Sequence, residues 1–160
     1  MVGLMAKKTE VPRATNVQSG QKATPESTSN AAAPAPAPVV LLVDDDADGR
    51  GIYADYLQTT GFATIEAGNG QEGLCAARAA RPALIVMDVE MPVMDGCEAL
   101  RHLRADARTC DIPIIVLSGY AQGGELETMC RGANAYLTKP CEVQRLSGVA
   151  QALIANGGAS

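Results

Sequence analysis

The segment LIVMDVEMPVMDG (residues 84–96) decides the fold of this chain. Its first residues continue an apolar run from 83 to 87, which predicts a buried strand because a strand covered on both faces is almost wholly hydrophobic. Asp88 follows that run directly, and the Met-Pro pair after it favours a turn. Asp95-Gly96 is a second turn signal, and the pattern after it predicts a short helix over 96–105. The segment therefore indicates a strand–loop–helix unit with a carboxylate at the end of its strand.

Similar units lie on both sides of this segment. Apolar runs predict further strands over 39–43, 62–67, 112–117 and 135–138, and helical patterns predict further helices over 48–60, 69–80, 122–131 and 142–155. Strands that alternate with helices are typical of a parallel sheet with helices on both faces. We therefore predict an α/β fold with a doubly wound, five-stranded parallel sheet. Right-handed crossovers would bring the carboxyl ends of all strands to one edge, where such sheets bind ligands.

The N-terminal residues differ in composition from the rest of the chain. Residues 1–37 are rich in Thr, Ser, Ala, Gln and Pro, have no hydrophobic period and end in Ala-Pro repeats that favour polyproline II. Such a segment cannot bury enough apolar surface to offset the entropy of ordering it. We predict a disordered tail over 1–37, one domain over 38–156 and a flexible C-terminus over 157–160.

Composition and charge exclude several function classes. The net charge is −5 and the basic excess lies in the tail, so the predicted domain is acidic, unlike a nucleic-acid-binding domain. No apolar run reaches the roughly 18 residues of a membrane span, and the N-terminus lacks the apolar stretch of a signal peptide. We expect a soluble, cytoplasmic protein with no nucleic-acid or membrane partner. The five cysteines are scattered, so we expect free thiols rather than a zinc site or a disulfide framework.

Polar side chains follow four of the predicted strands. They are Asp44, Asp45 and Asp46 after the first strand, Asp88 after the third, Ser118 after the fourth and Lys139 after the fifth. The fold would gather them in one crevice, where the carboxylates repel unless a cation lies among them; oxygen ligands with room for water suit Mg²⁺. A carboxylate can also attack a phosphoryl donor, and Mg²⁺, an ammonium group and a hydroxyl would then neutralise the phosphoryl oxygens.

Four separated segments resemble the motifs of response-regulator receiver domains. They are VLLVDDD (40–46), LIVMDVEMPVMDG (84–96), LSG (117–119) and YLTKP (136–140). The resemblance covers about residues 38–156 and is specific, because all four segments occur in order and at the family's spacing. It implies a flavodoxin-like (βα)5 fold with strand order 2-1-3-4-5, and a stand-alone receiver because the chain ends at Ser160.

The same resemblance implies a role for each site residue. Asp88 would be the phosphoacceptor. Asp45, Asp88 and the main-chain carbonyl of Glu90 would bind Mg²⁺ (or Mn²⁺) directly, and Asp44 would do so through water. Ser118 and Lys139 would contact the phosphoryl oxygens, Tyr136 would swing inward when Ser118 moves, and the peptide bond before Pro140 would be cis, as is common in the family.

The function implied is that of a signalling switch rather than a turnover enzyme. A histidine kinase or histidine phosphotransfer protein would donate the phosphoryl group, and autodephosphorylation would reset the domain. The surface formed by the fourth helix, fifth strand and fifth helix would contact a downstream protein, pass the group onward or form a phosphorylation-dependent homodimer. Glu90 occupies a position that varies in the family and tunes the lifetime of the phosphoryl group.

Two other functions remain open at this point. Gly68, Gly70 and Gly73 match a G-x-G-x-x-G dinucleotide-binding pattern between a strand and a helix, although that reading leaves the other strand-end residues unexplained. Residues 46–49 read D-x-D-G, as in haloacid-dehalogenase-like phosphatases, which also use Mg²⁺. Arg50 stands where that family has Thr or Val.

Overall fold

The computed structural model describes residues 33–120 and 124–157, and those from Pro36 onward belong to one unit. Most of the predicted tail and residues 158–160 of the predicted C-terminus lie outside the described residues. The domain boundaries therefore stay predictions. Within the described ranges, no helix is long and apolar enough to cross a bilayer.

Ten helices and strands alternate along the described chain in the predicted order. They are β1 (Val39–Val43), α1 (Ala47–Thr59), β2 (Ala63–Ala67), α2 (Gly70–Ala80), β3 (Leu84–Asp88), α3 (Gly96–Ala105), β4 (Ile114–Ser118), α4 (Glu125–Met129), β5 (Ala135–Thr138) and α5 (Val143–Gly157). Two strands run one residue further than predicted, so Asp88 and Ser118 are the last residues of β3 and β4 rather than the first residues after them.

The five strands form one parallel sheet in the order β2-β1-β3-β4-β5. The predicted fold class and strand order are confirmed. The chain reverses direction across the sheet between β1 and β3, which is the switch point where ligands bind in open α/β sheets. Register pairs Asp88 with Leu117 and Ser118 with Thr138, so the ends of β3, β4 and β5 are level at this edge.

The sheet is buried between two aliphatic clusters. Leu41, Val43, Ile85 and Met87 belong to the cluster on one face. Val40, Leu42, Leu84 and Val86 belong to the cluster on the other face. Alternate residues of one strand point to opposite faces, which explains why β1 and the part of β3 before Asp88 are hydrophobic throughout. Burial on both faces holds the ends of these strands, and the carboxylates on them, in place.

Three helices start at a polar residue that caps the first turn. The caps are Asp46 for α1 (3.2 Å from the amide of Asp48), Asn69 for α2 (2.9 Å from that of Glu72) and Asp95 for α3 (2.8 Å from that of Glu98). Each side chain accepts a hydrogen bond that the helix itself cannot make. The prediction that a helix begins at the turn signal Asp95-Gly96 is confirmed.

Helix α4 covers only part of its predicted range of 122–131. Residues 122 and 123 lie outside the described residues, and the helix does not include residues 124, 130 and 131. It starts after Gly124, which has φ +78 and offers no side-chain cap. It ends at Met129, and the amide of the following Cys130 donates to the carbonyl of Leu126 at 2.8 Å. Gly132 has φ +103, a left-handed conformation that glycine adopts without strain. Leu126 is the residue that α4 buries, so little packing extends the helix.

The prediction of free thiols is wrong for two of the cysteines. Cys97 and Cys130 form a disulfide across 33 residues of sequence, with Cα atoms 4.6 Å apart. Cys75, Cys110 and Cys141 are free. Spacing along the chain could not predict this pair because packing, rather than local sequence, brings α3 and the end of α4 together.

Candidate functional site

Three carboxylates meet at the carboxyl edge of the sheet. Asp44 and Asp45 follow β1, Asp88 ends β3, and one oxygen from each lies within 4.8 Å of the other two. Asp44 and Asp88 are buried, with 5% and 4% of their surface exposed, whereas Asp45 faces solvent. The structure thus brings together the acidic residues that the sequence singled out, apart from Asp46, which caps α1.

Lys139 reaches into this acidic cluster from the end of β5. Its Nζ lies 2.7 Å from Asp44 Oδ2 and 3.1 Å from Asp88 Oδ1. Burial alone would lower the pKa of Lys139, but its hydrogen bonds to the two carboxylates raise that pKa overall. The peptide bond between Lys139 and Pro140 is cis, as the resemblance implies.

The acidic cluster keeps an excess of negative charge despite Lys139. Burial is the main cause that raises the pKa of Asp88; Lys139 opposes it, and the charges of Asp44 and Asp45 add to it. Oxygen donors on a partly buried, negatively charged edge are the ligands that Mg²⁺ and similar hard cations take. The donor set therefore fits a divalent cation.

Ser118, Glu90 and Tyr136 lie around this cluster without forming part of it. Ser118 is buried, and its Oγ accepts a hydrogen bond from the amide of Tyr120 at 3.1 Å. A cavity of about 240 Å³ separates Ser118 and Glu90 from α4. Tyr136 is half-buried, and its hydroxyl donates to the carbonyl of Cys130 at 2.7 Å. The tyrosine thus lies under the end of α4 and is hydrogen-bonded away from the carboxylates.

Gly96 lets α3 begin directly against the end of β3. A Cβ at Gly96 would overlap the carbonyl oxygen of Asp88 and come within 3.0 Å of the backbone of Val89. The amide of Gly96 donates to the carbonyl of Val89 at 2.9 Å. The glycine is therefore required by close approach of two backbone segments, and this approach positions the backbone of Asp88.

Arg50 is a residue of this region that the sequence analysis missed. From the first turn of α1, its Nη1 donates to the main-chain carbonyl of Asp44 at 2.5 Å and its Nε to Glu66 at 2.7 Å. The sequence analysis considered Arg50 only as a departure from the phosphatase motif. The sequence did hold a signal for this role, because Arg50 lies about one helical turn after the three consecutive acids of residues 44–46. Arg50 joins the end of β1 to α1 and β2, and so positions the backbone of Asp44.

We expect Arg50→Ala to lower the free energy of unfolding by about 1–2 kcal/mol, because a charged donor to a partly buried carbonyl is lost. Urea unfolding of the full chain measures this change. Glu66→Gln is the matched control; it removes only a half-exposed ion pair, so its effect should stay below about 0.5 kcal/mol. Equal losses in the two variants would assign the effect to the ion pair instead.

The structure gives packing roles to the residues behind the two alternative functions. A Cβ at Gly70 would lie 2.7 Å from the carbonyl oxygen of Met94, and one at Gly73 would lie 3.0 Å from Val43. These glycines permit contact between α2 and its neighbours. Close approach, rather than a left-handed backbone conformation, explains these two glycines, since neither has a positive φ. Asp46 caps α1 and Asp48 is exposed, so the phosphatase-like motif does not form the crevice.

Comparisons with known proteins agree with this fold. The family model for the response regulator receiver domain matches residues 40–151. The polar-differentiation response regulator DivK of Brucella anthropi is 35% identical over 107 residues, which are 66% of this chain and 87% of that protein. The chain belongs to the response regulator receiver domain family, whose members are signalling domains. Neither the dinucleotide-binding nor the phosphatase alternative is favoured.

Solved receiver domains have the same architecture. The receiver domain of a signal transduction histidine kinase from Syntrophus aciditrophicus superposes with a TM-score of 0.72 at 29% identity, covering 78% of this chain and 95% of that one. The receiver domain of a sensor histidine kinase from Pseudomonas aeruginosa superposes with a TM-score of 0.69 at 30% identity, covering 74% and 98%. The latter structure has a magnesium ion coordinated in its active-site cleft.

Proposed function

We propose that this chain is a phosphorylation-activated response regulator in which Asp88 accepts the phosphoryl group. The observation that supports this most directly is the meeting of Asp88 with two further carboxylates and the Lys139 ammonium at the switch point of the sheet. A signalling domain that stores one phosphoryl group needs a nucleophile, neutralising charge and a nearby element that can move. All three kinds of group lie at this edge.

The proposed metal ligands are Asp45, Asp88 and the main-chain carbonyl of Glu90, with Asp44 acting through water. The all-oxygen donor set and its excess negative charge support this assignment to Mg²⁺ or Mn²⁺. When bound, the ion would neutralise charge on the phosphoryl oxygens. The magnesium-containing receiver domain of the Pseudomonas kinase is a relative in which such a cleft is filled.

The protein's own groups would act in sequence around Asp88. A carboxylate oxygen of Asp88 attacks the phosphorus of a phosphohistidine, the bond to the imidazole nitrogen breaks, and an acyl phosphate forms. Lys139, already 3.1 Å from Asp88, pairs with a phosphoryl oxygen. Ser118 exchanges its hydrogen bond with the Tyr120 amide for one to the phosphoryl group. Tyr136 then follows Ser118 inward, which alters the surface of α4, β5 and α5.

The partners that we propose follow from this chemistry. A histidine kinase or histidine phosphotransfer protein supplies the phosphoryl group. Because such a donor would act in the cytoplasm, we propose that the protein is cytoplasmic. Autodephosphorylation resets it. The α4–β5–α5 surface contacts a downstream protein or a second copy of the phosphorylated chain. In a phosphorelay, the same carboxylate would instead pass the group onward.

Incubation of the full chain with Mg²⁺ and a small acyl or amido phosphate tests the proposal. Intact mass should increase by one phosphoryl group that base removes, and a chelator should prevent the increase. An unchanged mass with both kinds of donor would refute the proposal and leave a receiver that works without phosphorylation.

We expect Glu90→Asn to change the dephosphorylation rate at least several-fold. Glu90 is exposed at the mouth of the cavity beside Ser118, where a carboxylate can repel or orient the attacking water. Loss of the added mass over time, after removal of the donor, measures the rate. The control is Glu127→Asn, an exposed acid on α4, which should leave the rate unchanged. An unaltered rate in Glu90→Asn would exclude Glu90 from the mechanism.

A further inference from the structure

The disulfide between Cys97 and Cys130 joins two helices next to the phosphoacceptor. Cys97 lies in the first turn of α3, directly after Gly96, and Cys130 is the C-cap residue directly after α4. Both residues are buried, with 9% and 1% of their surface exposed. The bond therefore ties the end of α4 to the start of α3 inside the core.

Each cysteine is also linked to one residue of the proposed switch: Cys97 to Asp88 through the adjacent Gly96, and Cys130 to Tyr136 through a hydrogen bond. Gly96, next to Cys97, packs on the main chain of Asp88 and donates to the carbonyl of Val89 at 2.9 Å. The carbonyl of Cys130 accepts the 2.7 Å hydrogen bond from the Tyr136 hydroxyl. The disulfide thus lies on a short path from the phosphoacceptor backbone to the switch tyrosine.

Helix α4 has few other restraints among the described residues. It has five residues, no side-chain N-cap and Leu126 as its buried residue. A segment with few buried contacts opens or shifts at low free-energy cost. A covalent bond at its last turn is consequently a strong restraint on its position.

We propose that Cys97 and Cys130 form a reversible redox site whose oxidation holds α4 and Tyr136 in the arrangement seen here and opposes the phosphorylated state at Asp88. The coupling to Asp88 rests on the proposed function, whereas the reversible disulfide does not. In the cytoplasm, where a phosphohistidine donor would act, disulfides in ordinary proteins are rare, and those present are usually transient or redox-sensing.

A dithiol is the chemical class of reductant that this site would require. One thiolate of the dithiol attacks the sulfur of Cys97, the more exposed of the pair, and the bond between the cysteine sulfurs breaks to release Cys130 as a thiol. The second thiol of the reductant then attacks the mixed disulfide and releases Cys97. The cysteine pair gains two electrons and two protons, and the reductant leaves as its own disulfide.

Coupling between the two sites must be reciprocal. If the disulfide opposes the phosphorylated state, phosphorylation must favour reduction of the disulfide by the same factor. The quantity measured is the ratio of reduced to oxidised dithiol at which half of the Cys97–Cys130 disulfide is reduced. We expect this ratio to fall at least about fivefold when Asp88 is phosphorylated. A change of about fivefold is the lower end of measured couplings between two sites.

The test titrates the full chain in mixtures of reduced and oxidised dithiothreitol, with Mg²⁺, in the presence and absence of acetyl phosphate. Alkylation followed by peptide mass measurement reports Cys97 and Cys130 separately from the three other cysteines, and intact mass reports phosphorylation in the same sample. A second arm compares phosphorylation rates of oxidised and reduced protein. Reduction should accelerate the wild-type chain and leave Cys97→Ser unaffected.

Each outcome decides part of the proposal. Alkylation of both cysteines in the native protein without reductant would overturn the disulfide site. The same midpoint with and without a measured phosphoryl group would overturn the coupling. A disulfide that titrates reversibly in a chain that takes no phosphoryl group would overturn the coupling together with the proposed function, and would support the redox site alone.

Discussion

Asp88→Asn should abolish the gain of one phosphoryl group, whereas Asp46→Asn should retain it in full. Asp88 ends β3 beside Lys139 and the other two carboxylates, and an amide there cannot form an acyl phosphate. Asp46 instead accepts the 3.2 Å hydrogen bond that caps α1, a role that Asn fills equally well. Intact mass after treatment with Mg²⁺ and acetyl phosphate distinguishes the two variants.

The two substitutions also separate the receiver from the phosphatase-like alternative. Both replace Asp by Asn near the same edge of the sheet, so differences in charge alone cannot produce opposite results. A phosphoryl group lost in Asp46→Asn and kept in Asp88→Asn would contradict the proposed function and favour the D-x-D-G motif at 46–49.

Mg²⁺ should stabilise the wild-type chain more than it stabilises the Asp88→Asn variant. The pKa of Asp88 is raised, chiefly by burial. Without a cation, the ionised form of Asp88 therefore lowers the free energy of unfolding. The metal-free chain consequently loses stability as pH rises through the raised pKa. Binding at 100 times the Kd would contribute about 2.7 kcal/mol. Thermal unfolding with and without Mg²⁺ measures the difference, and equal shifts in both chains would exclude Asp88 as a ligand.

Gly96→Ala is expected to lower the free energy of unfolding by about 1–3 kcal/mol and to slow phosphorylation. Its Cβ would overlap the carbonyl of Asp88 and crowd Val89, and both contacts are with backbone that cannot rotate away. Relief requires β3 or α3 to shift, which moves Asp88 relative to Lys139. Urea unfolding and the initial rate of phosphorylation by acetyl phosphate measure the two effects.

The matched control for Gly96→Ala is Gly148→Ala in the middle of α5. A Cβ at Gly148 has nothing within 4 Å, so the substitution should raise the free energy of unfolding by about 0.5–1 kcal/mol. Opposite signs for the same chemical change would separate close packing from helix propensity. A loss in both helices, or a gain in both, would contradict the packing argument for Gly96.

Local patterns were enough to predict the strands and most of the helices. The strands β1 and β5 and the helix α3 have the predicted bounds, because hydrophobic runs, turn residues and caps act over a few neighbouring positions. Helix α4 deviates most, because it lacks a side-chain cap and buries little. The sequence also predicted which acids meet, since parallel strands place their carboxyl ends at one edge.

Contacts between distant segments were beyond such patterns. Arg50 reaches Asp44 and Glu66 through the packing of α1 on the sheet, and Gly70, Gly73 and Gly96 owe their identity to backbones and side chains that approach from other elements. A sequence motif shows that a glycine or an arginine is present. It does not show which atom faces it.

The segment from Leu84 to Gly96 by itself determined a buried strand with a carboxylate at its end, and its four companion units determined a doubly wound sheet that collects such residues. Only the tertiary structure decided that Cys97 bonds to Cys130 and that Tyr136 hydrogen-bonds under α4. The physical reason is range: periodicity and capping act within a few residues, whereas these contacts exist only after α3 and α4 have packed on the face of the sheet to which Tyr136 of β5 also points.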